Sequence, residues 1–178
     1  MTIGIIIKGW LINKENILFK EDREYGACIY KKNGAEIYTF GMLVAGPPVG
    51  ITGELPIWDA TKAEATSYIK KGYTQVSLIH THGTKTTTGY TNFSDRNVIT
   101  GKVGDPYSAY SETINTIYLF NVNRQLSKLT ITKAQYDAYD DAVKATGILD
   151  TKRPIITNGL TMQYVGEKYI TNLGTIPK

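Results

Sequence analysis

Cysteine, histidine and long apolar runs are what this chain has least of. Its 178 residues include a single cysteine, Cys28, which excludes an internal disulfide framework and any multi-cysteine zinc site. Cys28 reads as a small packed hydrophobe. No apolar run reaches the roughly 18–20 residues that carry a helix across a bilayer. The apolar opening MTIGIIIKGWLI is short and no small-residue cleavage site follows it, so a buried strand is expected there and not a secretion signal. Dense basic clusters are missing too, the closest being Lys31-Lys32 and Lys70-Lys71. A net charge of +4 with a pI near 9.0 tolerates an acidic or nucleic-acid partner without demanding one. Only two histidines occur, and they stand two residues apart.

What is present describes an ordinary globular chain. Hydrophobic residues make up 42% and charged residues 20%, and the length suits one domain, 1–178, that buries about two thirds of its unfolded surface. Thirteen tyrosines favour a strand-rich, half-buried architecture. REYGACIYKKNGAEIYTFGMLV reads as a hairpin, with residues 25–30 extended, a turn ending at Asn33-Gly34, and a return over 36–44. AGPPVGITGELP, with three prolines and three glycines, is expected to be loop. IWDATKAEATSYIKKG has helical composition, an Asp59 cap and a closing Gly72. TQVSLIHTH alternates as a core strand, and SDRNVITGKVGD opens like a short helix. TINTIYLFNVNRQLSKLTI is a second hairpin turning near 121–125. TKAQYDAYDDAVKATG is an amphipathic helix capped by Thr132 and ended by Gly147, and the tail RPIITNGLTMQYVGEKYI reads as short strands. Strands alternating irregularly with three helices predict an α+β fold: a mixed central sheet flanked by helices.

The chemistry concentrates in SLIHTHGTKTTTGYTNFSDRN. His80 and His82 at i and i+2 of a strand project from one face, a spacing that lets two imidazoles converge on one metal ion. A catalytic zinc takes three protein ligands and leaves a fourth position for water, so one further ligand, a carboxylate for preference, is needed. The small, hydroxylated loop 83–93 can turn sharply and return the start of the next helix to the end of the histidine strand.

IHTHG followed by FSDRN resembles the H-x-H…S-x-x-D signature of the JAMM/MPN metalloproteases, the zinc isopeptidases that remove ubiquitin-like modifiers. EYGACIY upstream, then HTHG…FSDRN, then IYLFNVNRQL, is most similar to the JAB-like domain at the C-terminal ends of bacterial polymorphic and Rhs-type toxins. The resemblance covers about 23–130; residues 131–178 lie outside it. It implies a JAMM/cytidine-deaminase-like α/β sandwich, zinc bound by His80 and His82, Glu24 as the base that activates water, and Ser94 as an oxyanion donor. That division of labour is physically sound, because the metal acidifies water and polarises a carbonyl, a glutamate carries the proton and a hydroxyl offsets developing charge. The sequence departs at the family's third ligand: S-x-x from Ser94 lands on Asn97, whose neutral amide binds zinc more weakly than a carboxylate. Asp95 is near, but two residues along a helix turn a side chain about 200°, so Asp95 substitutes only if the helix start is re-set.

The resemblance therefore implies a zinc-dependent peptidase or isopeptidase-like toxin effector, impaired in so far as Asn97 replaces the ligand aspartate. Its partners would be a protein or peptide substrate and a cognate immunity protein, with delivery by a secretion system into the target-cell cytoplasm. No membrane partner is expected. Plainer readings stand beside these: a histidine pair without metal, Glu24 as a strand-end carboxylate, Ser94 as a helix cap and Asn97 as a helix-surface residue. Two other functions follow from the same residues. Asn97 favours a catalytically inactive JAB-like protein-binding module, and the pI with a histidine site points to a metal-dependent nuclease. The nuclease is disfavoured by the lack of a basic, aromatic-interleaved stripe.

Overall fold

The computed structural model describes residues 3–48, 68, 71–84, 93, 105, 114–145, 156–157, 160–161 and 169–177. The expected helices over 57–72 and 94–105 fall largely outside these, as does Gly147; Tyr68 and Asp105 have helical backbone.

The apolar opening is a helix, α1 (Ile3–Leu18), and not the strand its isoleucines lead one to expect. Ile7, Leu11 and Leu18 are buried along one face, at helical spacings of four and seven. Trp10 stacks on Phe40 with ring centroids 4.6 Å apart. The magnitudes explain the outcome: a β-branched residue costs a helix well under 1 kcal/mol, whereas burying one large aliphatic side chain contributes about 1.5–3 kcal/mol. Packing decides.

A central mixed sheet of seven strands receives this helix. Strand β1 (Arg23–Lys32) is followed by β2 (Tyr38–Phe40), β3 (Val44–Pro48), β4 (Tyr73–His80), β5 (Thr116–Phe120) and β6 (Gln125–Thr130). A separate antiparallel pair, β7 (Ile156–Thr157) and β8 (Leu160–Thr161), precedes β9 (Ile170–Thr175). The spatial order is β2-β1-β4-β5-β6-β9, with β3 also on β1. All pairings are antiparallel except β4 with β5, which is parallel. The first hairpin turns at Asn33-Gly34, where Gly34 takes φ 73°, a conformation that favours glycine.

Two expectations for the following segment are corrected. The return strand does not run unbroken over 36–44 but splits into β2 and β3 around residues 41–43. The Pro/Gly-rich stretch is also not loop from its start, because Val44–Pro48 pairs with the first residues of β1. β3 is an edge strand, where a residue without an N–H is tolerated.

Alternation along β1 and β4 divides the core in two. Ala27, Ile29, Ile79, Tyr118 and Phe120 face α1, while Cys28, Tyr30, Leu78, Ile117 and Leu119 face the other way. The second face is covered in part by α2 (Lys133–Ala145) through Tyr136. Helix α2 starts as the sequence predicts. The Thr132 hydroxyl accepts from the Gln135 N–H at 3.4 Å and the Gln135 side chain accepts from the Thr132 N–H at 2.9 Å, a reciprocal cap. The second hairpin turns at 121–124, with the Asn121 carboxamide oxygen accepting from the N–H groups of Asn123 and Gln125 and Arg124 at φ 63°. The C-terminal strand β9 closes the far edge against β6. The result is an α+β fold around a central mixed sheet, with helices on both faces. No helix among the described residues is long and apolar enough to cross a membrane.

Candidate metal centre

The site lies at the end of β4 on the face opposite α1. β1 and β4 pair with Gly26 across from His80 and Cys28 across from Leu78, so His80 belongs to the face that carries Cys28 and Leu78. The strand ends at His80. His82 lies beyond it, in an extended segment still anchored to β1, since the Thr81 N–H donates to the Tyr25 carbonyl at 2.8 Å. At Gly83 the backbone takes φ 81°, so the glycine after the second histidine is a conformational requirement.

Both histidines point into one spot. Their Nε2 atoms are 3.0 Å apart, and both rings are buried, 5% and 6% exposed. Phe93 packs near His80, with ring centroids 6.1 Å apart.

The third group is Asp105, twenty-three positions beyond His82 and absent from the sequence-based candidates. Its Oδ1 is 3.1 Å from His80 Nε2 and its Oδ2 3.5 Å from His82 Nε2. Burial alone would push the Asp105 carboxyl up, but the charges and hydrogen bonds of His80 and His82 outweigh it and hold the group well below the usual carboxylate range. Among the described residues, His80, His82 and Asp105 form a set of potential ligand atoms lying within 4.8 Å of one another.

Two nitrogens and one carboxylate oxygen converging on a point fit a divalent cation. Ligands about 2.0–2.1 Å from a tetrahedral zinc lie about 3.3 Å from each other, close to the 3.0, 3.1 and 3.5 Å separations here. Protons serve this geometry poorly. A neutral imidazole carries one N–H, and two facing Nε2 atoms and a carboxylate would have to share the hydrogens that point inward. The donor set thus favours zinc or another imidazole-accepting metal over the all-oxygen preferences of calcium or magnesium.

Glu24 completes the surroundings. It lies two residues before Gly26, which places it level with His82 across the β1–β4 pair, and its ionisation responds to His82, His80 and Asp105. Burial pushes its carboxyl up, against the opposing pull of His82 and His80. The structure therefore brings together Glu24, His80 and His82 from the sequence-based set and adds Asp105. Ser94, Asp95 and Asn97 lie outside the described residues. No local pattern in GKVGDPYS marks Asp105 as a ligand. Comparison of the chain with protein-family models, curated proteins and solved structures finds no match.

Proposed function

We propose that the protein is a zinc-dependent hydrolase of the JAMM type, cleaving peptide or isopeptide bonds, and that it works as the effector module of a bacterial toxin. The observation that carries the hydrolase reading is the convergence of His80, His82 and Asp105 beside a Glu24 carboxyl whose proton affinity is raised by burial. Asp105 supplies the carboxylate that Asn97 lacks, so impairment no longer follows from the amide at position 97. The effector role rests on the sequence resemblance alone.

Zinc in this site would supply Lewis acidity, making water more acidic and polarising the scissile carbonyl. His80, His82 and Asp105 would hold it and leave a coordination position open. Glu24 takes the proton from the attacking water as oxygen bonds to the carbonyl carbon, then returns it to the leaving amine as the C–N bond breaks. A carboxyl with a raised proton affinity suits a base that must release its proton near neutral pH. Ser94, on the resemblance, donates to the developing oxyanion.

The test uses zinc-loaded protein, chelator-stripped protein and Glu24→Gln on a quenched-fluorescence peptide library and on isopeptide-linked ubiquitin-like dimers. Cleavage by the loaded protein alone supports the reading. Full zinc occupancy without cleavage of either substrate class would leave the inactive binding module as the better account.

A further inference from the structure

The backbone around Glu24 is fastened to the histidine segment by side chains where an ordinary strand ladder gives out. β1 and β4 pair regularly from Gly26–His80 through Ile29–Ser77. One position beyond His80 the exchange becomes unequal. The Thr81 N–H donates to the Tyr25 carbonyl at 2.8 Å, but the Tyr25 N–H donates to the Thr81 side-chain Oγ1, at 3.0 Å. The hydroxyl stands where a carbonyl would in a regular antiparallel pair. The chain can therefore begin to leave β1 at Thr81 without abandoning a buried N–H, and Gly83 completes the departure.

A second fastening lies on the other side of Glu24. The Asp22 Oδ1 accepts from the Thr84 N–H at 2.9 Å and from the Thr84 hydroxyl at 3.1 Å. Glu24 is thus bracketed by two tethers that span 56 and 62 residues of sequence. On the outer side the β1–β3 register shifts between Arg23 and Tyr25, at Glu24 itself. Such irregularities re-aim a side chain and relax the ladder locally. Thr81 is 1% exposed, and its hydroxyl accepts from the Tyr25 N–H.

We propose that the Thr81 hydroxyl, assisted by the Asp22–Thr84 contact, is a positioning device that aims Glu24 at the ion held by His80, His82 and Asp105. The proposal rests on the reading of those three residues as metal ligands. Thr81 is a positioning residue and not a catalytic one: it fixes where the base sits, while the ligands fix where the metal sits. Removing it should therefore uncouple Glu24 from the metal without emptying the site.

A double-mutant cycle read with metal alone tests this. Zinc affinity, from competition with a chromophoric chelator, and the visible spectrum of the cobalt-loaded protein are measured for the wild type, Glu24→Gln, Thr81→Val and the double variant. In the wild-type background Glu24→Gln should weaken zinc binding about tenfold, as losing a group beside the ligands does, and should shift the cobalt spectrum. Thr81→Val should still bind one ion per chain, and in that background Glu24→Gln should change affinity less than about twofold, with the spectrum unmoved. Thr81→Ser, which keeps the hydroxyl, should restore the full effect of Glu24→Gln, an outcome that mere loss of packing does not predict. If Thr81→Val fails to fold, the same cycle in Thr81→Ala should give the same loss of coupling. An undiminished effect of Glu24→Gln in the Thr81 variants overturns the positioning role and leaves the metal reading standing. A wild type that takes up neither zinc nor cobalt overturns the metal reading, and the positioning role with it.

Discussion

Replacing Asp105 with asparagine keeps the shape of the proposed third ligand and removes its charge. The two carboxylate oxygens lie 3.1 and 3.5 Å from the two histidine nitrogens, and the neighbouring imidazoles hold the group ionised far below neutral pH. A dication held between these atoms would therefore meet one full negative charge. Loss of a group that merely supports a ligand lowers metal affinity about 10–100-fold, and loss of the charged ligand itself should reach at least the top of that range. Asp105→Asn is expected to raise the zinc Kd at least about 100-fold, or about 2.8 kcal/mol. Chelator competition at pH 7 measures this, with circular dichroism to check that the sheet persists. Asn97→Asp is the informative companion. On the proposed ligand set, in which Asp105 supplies the carboxylate, adding one at 97 should change zinc affinity less than about twofold. Wild-type affinity in Asp105→Asn, or a large gain in Asn97→Asp, would refute the assignment of the third ligand.

Other consequences are equally concrete. Because burial raises the folded Glu24 proton affinity, ionised Glu24 costs the metal-free fold stability as pH rises from the ordinary glutamate range through its folded value. Glu24→Gln should therefore raise the thermal midpoint of the metal-free protein at pH 7, by about 2–4 °C per kcal/mol, while lowering the proposed hydrolysis by about 10²–10⁴-fold. Asp105 has the opposite sign: its stabilisation is present above the ordinary aspartate range near pH 4 and is lost as pH falls towards its depressed folded value, so metal-free Asp105→Asn should lack this strongly acid destabilisation in urea titrations. Leu11→Ala, in the buried face of α1, should cost about 2–5 kcal/mol by urea unfolding, as expected if the first helix belongs to the core. Gly83→Ala forces a side chain into φ 81° at about 1–2 kcal/mol, and should weaken zinc binding with both histidines still present.

Much of this fold is legible in the sequence where one local signal dominates. Asn33-Gly34 announces the first turn, the alternating run before His80 announces a core strand, and the Thr132 cap announces α2. The reading fails where tertiary packing overrides local preference. Isoleucines at 3, 5, 6 and 7 argue for a strand, yet Ile7, Leu11 and Leu18 find a partner surface on the sheet only if the segment is helical. Prolines at 47 and 48 argue for loop, yet the backbone of Val44–Pro48 pairs with β1. The site divides the same way. Two histidines at i and i+2 are a local pattern, and they do converge. Asp105 stands twenty-three positions beyond His82, and no spacing rule within HTHG…FSDRN points to it. Glu24 depends on register: its place beside His82 follows only once Gly26 is known to pair with His80.

The most direct measurement is anomalous X-ray scattering from crystals of the zinc-loaded protein, recorded on either side of the zinc absorption edge. One peak per chain is predicted, about 2.0–2.2 Å from the Nε2 atoms of His80 and His82 and from a carboxylate oxygen of Asp105. A zinc-loaded crystal with no peak there, or with the ion bound elsewhere and Asp105 turned away from the histidines, would contradict the account.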